Sequence, residues 1–174
     1  MSTLLSRIGR GEAKSYRKIF PSYDWDEDVW RVNQIINEPY ICGKETLGFI
    51  KGIENETIKQ GDKAIQNWID TNMDGCSCYI LFVGEKTYTS RWVKYEMEQA
   101  TQRGMGRLIV FLTGMENQNH KICQGGPDPY QYHGMYAPVG TPGAYTIKQY
   151  YWISGNGVNN ISSWINDACT RAGK

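Results

Sequence analysis

The chain of 174 residues reads as an α/β domain built on a parallel sheet with helices on both faces. Three observations predict this class. Two short apolar runs, Cys78-Tyr79-Ile80-Leu81-Phe82-Val83 and Arg107-Leu108-Ile109-Val110-Phe111-Leu112-Thr113, are bounded by glycines and show no polar alternation, as expected of strands covered on both sides. Between such runs lie stretches whose apolar residues recur at helical spacing. The two kinds of segment alternate with short connections, and strand-helix-strand units of that kind form parallel sheets by right-handed crossovers.

Each element can be justified in order. After a polar arm over residues 1–15, Tyr16 to Tyr23 reads as the first strand, with Pro21 suited to a strand end rather than its middle. Asp24 or Asp26 then caps a helix with acidic residues in its first turn and Val29, Val32 and Ile36 on one face, stopping before Pro39. From Tyr40 to Gln60 the apolar residues follow neither period, and one short strand is expected there. Gly61-Asp62 opens a helix that carries Ile65, Trp68, Ile69 and Met73 inward and ends at Gly75. After the Cys78 to Val83 strand, Thr89 or Ser90 caps a helix with Val93, Met97 and Ala100 on its apolar face, stopped by Arg103-Gly104. The Arg107 to Thr113 strand leads into a loop-rich region over 114–145, too long for a mere connector and expected to cover a crevice. A strand around Ile147 to Ile153 and a helix capped by Asn159 or Asn160, carrying Ile161, Trp164, Ile165 and Ala168 and ended by Gly173, complete the chain. Residues 16–174 are read as one domain.

Composition excludes several function classes. Nineteen basic against eighteen acidic residues give a net charge of +1 with no basic run to neutralise a row of phosphates, so nucleic acid is not an expected partner. No apolar stretch approaches membrane-spanning length and the first fifteen residues lack a signal-type apolar core, so a soluble cytoplasmic protein is expected. Five cysteines, at 42, 76, 78, 123 and 169, are an odd number without paired knuckles and suit reduced thiols. His120, Cys123 and His133 have no metal-binding spacing, so no metal is expected. Gly125-Gly126 is not a phosphate loop, because no strand-to-helix turn with a following Lys-Ser or Lys-Thr surrounds it.

Ligands bind parallel sheets at the carboxyl ends of the strands. Three segments project there: Ser22-Tyr23-Asp24-Trp25, the Gly84 to Thr89 turn with the start of the next helix, and the loop after Thr113. On that helix Trp92, Glu96, Gln99 and Arg103 form a stripe beside the apolar one, so Glu96 lies at the margin of the core while Lys94 and Glu98 point to water. Read from the residues alone, Glu96 suits a solvated helix position far better than a catalytic one, Trp92 suits packing alongside any pocket role, Ser22 a bond to nearby backbone as readily as one to a substrate hydroxyl, and Asp24 a simple cap as readily as a place in the site.

Phe20-Pro21-Ser22-Tyr23-Asp24 and the Trp92 to Glu96 helix, a W-x-x-x-E string placed directly after a buried strand, resemble the TIR-like family, and most closely the TIR-like proteins of the bacterial Thoeris anti-phage system. Gly126-Pro127-Asp128-Pro129-Tyr130, Tyr151 to Gly157 and Trp164 to Ala168 are similar to later segments of that family. The resemblance spans roughly residues 16 to 173 and implies a flavodoxin-like sheet. It also implies an NAD nucleosidase or cyclase that breaks the nicotinamide-ribose bond, with NAD as substrate and no cofactor. An ADP-ribose-derived signal, cyclic or conjugated, would activate a separate effector protein during infection, and the enzyme would itself be activated by infection, with a possible homo-oligomer. Glu96 would be the catalytic carboxylate, and Ser22, Tyr23, Asp24, Trp25 and Trp92 would bind substrate. Pro21 stands where the family usually has an aliphatic residue, and Asp24-Trp25 where some members carry basic ones. Two other functions remain open at this point: a non-catalytic TIR adaptor, and a nucleoside deoxyribosyltransferase-like enzyme that would leave NAD untouched.

Overall fold

A computed structural model describes residues 17–38, 47–50, 53, 55–138 and 146–174. Strands β1 (Arg17–Ser22), β2 (Leu47–Phe49), β3 (Cys78–Val83), β4 (Gly106–Phe111) and β5 (Lys148–Tyr151) form one sheet in the order β2-β1-β3-β4-β5. Every pairing is parallel. Helices α1 (Trp25–Ile36), α2 (Asn55–Lys59), α3 (Asp62–Met73), α4 (Arg91–Gln102), α5 (Pro129–Tyr132) and α6 (Gly157–Arg171) occupy the connections. This is the doubly wound, flavodoxin-like α/β arrangement expected from the sequence. The arm over 1–15, Tyr16 and Cys42 lie outside the described residues.

The central strands are apolar throughout because successive side chains enter two different cores. Cys78, Ile80 and Phe82 of β3 pack with Val32 and Ile35 of α1 and Ile161, Ile165 and Ala168 of α6. Tyr79, Leu81 and Val83 face the other way, onto Ile69 and Met73 of α3 and Val93, Met97 and Ala100 of α4. All six residues of β3 are buried. Ion pairs tie α3 to α4 along their outer surface: Arg91 with Asp62 at 2.7 Å, and Arg103 with Asp70 at 3.3 Å. Pairs this exposed add little stability individually but fix how the two helices sit.

Pro21 pairs with Ile80 inside β1 although β1 lies within the sheet, not at its edge. The carbonyl of Ile19 accepts from Ile50 N at 2.9 Å and that of Lys18 from Ser77 N at 2.8 Å, so odd-numbered residues face β2 and even-numbered ones face β3. Pro21 therefore turns its missing N–H toward a neighbour that has already ended at Phe49, where no ladder bond is lost.

Two helical expectations need correction. The buried face of α1 is Asp28, Arg31, Val32 and Ile35, whereas Val29 and Ile36 are half-buried, because an internal ion pair rotates the seam toward polar residues. The last helix begins at Gly157, not at Asn159 or Asn160; Asn156 occupies the cap position in the left-handed conformation (φ 51°) without a side-chain cap bond. A Cβ on Gly157 would stand 2.0 Å from the Trp152 ring, so the chain can enter the helix there only as glycine.

Candidate active site at the carboxyl edge of β1 and β3

The strand order reverses direction between β1 and β3, and parallel sheets leave a crevice at that point. A cavity of about 240 Å³ occupies it. One wall is the turn after β1, Pro21 with Tyr23 to Asp26; the other is the start of α4, with Ser90, Trp92 and Glu96. Ile58 of α2 and Ile65, Trp68 and Ile69 of α3 close the side, together with Ile53.

Local chemistry explains why these segments hold their shape. Asp24 caps α1 by accepting from Glu27 N at 3.1 Å, and Ser90 caps α4 by accepting from Val93 N at 3.4 Å. Behind the cavity, buried Arg31 donates to Asp28 at 2.8 Å and to the carbonyls of Met115 at 3.2 Å and Lys121 at 3.0 Å. Thr87, fully buried, accepts from Gly84 N at 2.8 Å and lies 3.5 Å from Asp28. Lys86 pairs with Glu27 at 2.6 Å and Lys121 with Glu85 at 3.3 Å. The turn from Gly84 to Ser90 is thereby fastened to α1 on one side and to the hairpin at 115–123 on the other. Burial pushes the Asp28 carboxyl up to about 6 against the opposing pull of Arg31.

Glu96 is the ionisable group of the inner wall. Ser22, at the end of β1 and almost wholly buried, donates through Oγ to Glu96 Oε2 at 2.5 Å. Enclosure pushes the Glu96 carboxyl up to about 8, with the Ser22 bond pulling the other way. Tyr23 is raised to about 12, mainly by burial and further by the nearby Glu96 charge. Tyr23 and Trp25 stack at 6.0 Å between ring centroids. Trp92 is half-buried with the Arg91 guanidinium 4.7 Å above its ring. Asp24 serves both as cap and as lining, and desolvation raises its pKa.

Five of the residues singled out from the sequence, Tyr23, Asp24, Trp25, Trp92 and Glu96, thus line one cavity, while Ser22 lies beneath it and touches Glu96. Sequence reasoning missed Ile53, Ile58, Ile65 and Trp68 as lining: the last two read as ordinary core positions of α3, and the first two fall in the stretch without a clean period. Among the described residues of the 114–145 loop none lines the cavity. That loop instead buttresses the turn, with Tyr132 edge-on to Tyr88 at 4.8 Å and His133 bonded to the Tyr88 carbonyl at 3.0 Å. Among the described residues, α2 and α3 with Ile53 close the side of the crevice.

The molecule is thus a flavodoxin-like α/β domain with a carboxyl group at the switch point of its five-stranded parallel sheet, enclosed by aromatic and aliphatic side chains. The chain belongs to the family described as Thoeris protein ThsB, TIR-like domain, whose model matches residues 20–117, more than half of its length. It is also 20% identical, over 190 aligned residues that cover 86% of this chain and 99% of the relative, to a Bacillus cereus (strain MSX-D12) protein provisionally named cyclic ADP-D-ribose synthase ThsB1. Among the described residues no group of three or more His, Cys, Asp or Glu could hold a metal ion, and no helix is long and apolar enough to cross a membrane.

Proposed function

We propose that the chain is an NAD nucleosidase or cyclase that breaks the bond between nicotinamide and ribose and makes an ADP-ribose-derived signal, cyclic or conjugated, for a separate effector in anti-phage defence. The observation that carries this reading is the Glu96 carboxyl, held by Ser22 at 2.5 Å and opening into a cavity walled by Trp92, Tyr23 and Trp25. The Bacillus cereus relative, provisionally named a cyclic ADP-D-ribose synthase and of nearly matching extent, supports it.

The cavity lining carries three carboxyl groups, Asp24, Asp26 and Glu96, and no lysine or arginine among the described residues. Such a lining favours a cation and disfavours a phosphate. At about 240 Å³ it is smaller than the roughly 300–1,000 Å³ of pockets that enclose whole drug-sized ligands. NAD satisfies both constraints if its pyridinium-ribose end enters and its pyrophosphate and adenosine stay outside. Trp92, Tyr23 and Trp25 offer aromatic faces to the ring.

Nicotinamide departs as a neutral molecule from a cationic pyridinium, so bond cleavage requires no proton donor. The C–N bonding pair leaves with nicotinamide and positive charge develops on the ribose, as in glycoside hydrolysis, where a carboxylate stabilises it. A carboxyl raised to about 8 is largely protonated in the empty cleft at neutral pH, and the arriving pyridinium favours its ionised form. The charge needed in the transition state thus forms when substrate is present. Ile58, Ile65 and Trp68 limit water near the ribosyl cation, which lets a nucleophile from the substrate itself or a second small molecule capture it in place of water.

Mass spectrometry of small molecules from infected cells carrying wild type or Glu96→Gln tests this reading. Nicotinamide and an ADP-ribose-derived product should rise only with wild type. Equal levels in both, or consumption of deoxynucleosides with NAD untouched, would overturn it.

A further inference from the structure

Tyr79, the second residue of β3, is fully buried, yet its phenol oxygen has no hydrogen-bond partner among the described residues. A phenylalanine would fill the same space without the cost of desolvating a hydroxyl, so the oxygen requires a reason. Its surroundings supply one. Tyr79 pairs in register with Phe20, and two residues along, on the same face of the sheet, Leu81 pairs with Ser22. Besides burial, the groups that act on the Tyr79 hydroxyl are Tyr130 of α5, Glu96 of α4, Ser22 of β1 and Arg107 of β4. Ser22 spends its only hydroxyl proton on Glu96 Oε2, which leaves its oxygen lone pairs seeking a donor. Once Glu96 is ionised, neither it nor a carbonyl of the sheet has a proton to give, whereas a phenol on the same face of the sheet has one.

We infer that Tyr79 is a positioning residue for Glu96: its O–H donates to Ser22 Oγ and completes a Tyr79→Ser22→Glu96 chain of hydroxyl dipoles pointing at the carboxylate. This rests on the functional reading given above and extends it to the layer beneath the cleft. Consecutive hydrogen bonds polarise one another, so the terminal bond to the carboxylate gains strength from a donor that never meets substrate. The chain is tightest when Glu96 carries its charge, and loosest in the resting protonated cleft. Tyr79 thereby favours the ionised carboxyl on which the reaction depends.

Tyr79→Phe removes only the oxygen. Nicotinamide release by the full chain should fall about tenfold in kcat, the value of one hydrogen bond of ordinary strength, with KM within twofold of wild type. The acid limb of its pH profile should move to higher pH, and the melting temperature should hold or rise because a poorly satisfied hydroxyl is gone. A carboxyl ¹³C titration of Glu96 without NAD reads the same effect independently of catalysis, and it should midpoint at higher pH in Tyr79→Phe. In a Ser22→Ala background, Tyr79→Phe should shift that titration no further. An unchanged Glu96 titration in Tyr79→Phe, or an equal additional shift in the Ser22→Ala background, overturns the proposal. If wild type releases no nicotinamide under any condition, the functional reading fails while the titration still decides the role of Tyr79.

Discussion

Replacing Glu96 by glutamine should stabilise the protein, by an amount that grows with pH. Enclosure between the end of β1 and the first half of α4 raises this carboxyl from an unfolded value of 4.5 to about 8, so the folded state holds its proton more tightly than the unfolded chain does. A group shifted in that direction contributes fully below pH 4.5, and its contribution is lost as pH rises toward 8. At pH 5 the loss is under about 1 kcal/mol; at pH 7 it is about 3 kcal/mol, and it approaches about 5 kcal/mol above pH 8, taking about 1.36 kcal/mol per pH unit. Glutamine keeps an oxygen to accept from Ser22 and has nothing to ionise. Other titrating groups are common to both proteins and cancel in the difference. Urea denaturation at pH 5, 7 and 9 measures it through the midpoint at constant slope. A gap between variant and wild type that stays constant over those three pH values would refute the enclosure of this carboxyl and everything built on it.

Other consequences follow from the same geometry. If ionised Glu96 is the active form, kcat/KM for nicotinamide release should climb about tenfold per pH unit to a plateau near 8, while kcat levels off at lower pH because the bound cation favours the charge; a flat kcat/KM between pH 6 and 8 would count against it. Trp92→Ala should lower kcat/KM roughly 10- to 100-fold through loss of the aromatic wall, with Trp92→Phe retaining most activity; equal rates for all three proteins would remove Trp92 from the site. Gly84→Ala should destabilise by about 1–3 kcal/mol in thermal or urea unfolding, because the new Cβ would lie 2.0 Å from Asp28 Oδ2 and force apart the turn that presents Ser90; an unchanged unfolding midpoint would show that the turn is not fixed in this way.

How much of this was legible in the sequence depended on how local the cause was. The α4 helix could be read because its cap, its apolar period and its Gly104 stop lie within fifteen residues, and the stripe holding Trp92 and Glu96 follows from helical geometry alone. The β3 strand was equally plain, since an unbroken apolar run of six suits a strand with two covered faces. The seam of α1 was misplaced because nothing near Asp28 and Arg31 in the chain marks them for burial, which depends on carbonyls at Met115 and Lys121, remote in the chain. Ile58 gave no signal as cavity lining for a similar reason: α2 is five residues long, too short to show a period. Tyr79 was hidden inside the apolar run, and only the register of β3 against β1 brings its hydroxyl toward Ser22 and Glu96.

The most direct test of the central claim is the release of nicotinamide from NAD at pH 8, with protein purified from infected and uninfected cells as wild type and as Glu96→Gln. Wild type from infected cells should release nicotinamide at least a hundredfold faster than the variant, since removing a group that stabilises transition-state charge costs at least that much. Equal release from wild type and Glu96→Gln would contradict the assignment of this carboxyl as the group that carries the reaction.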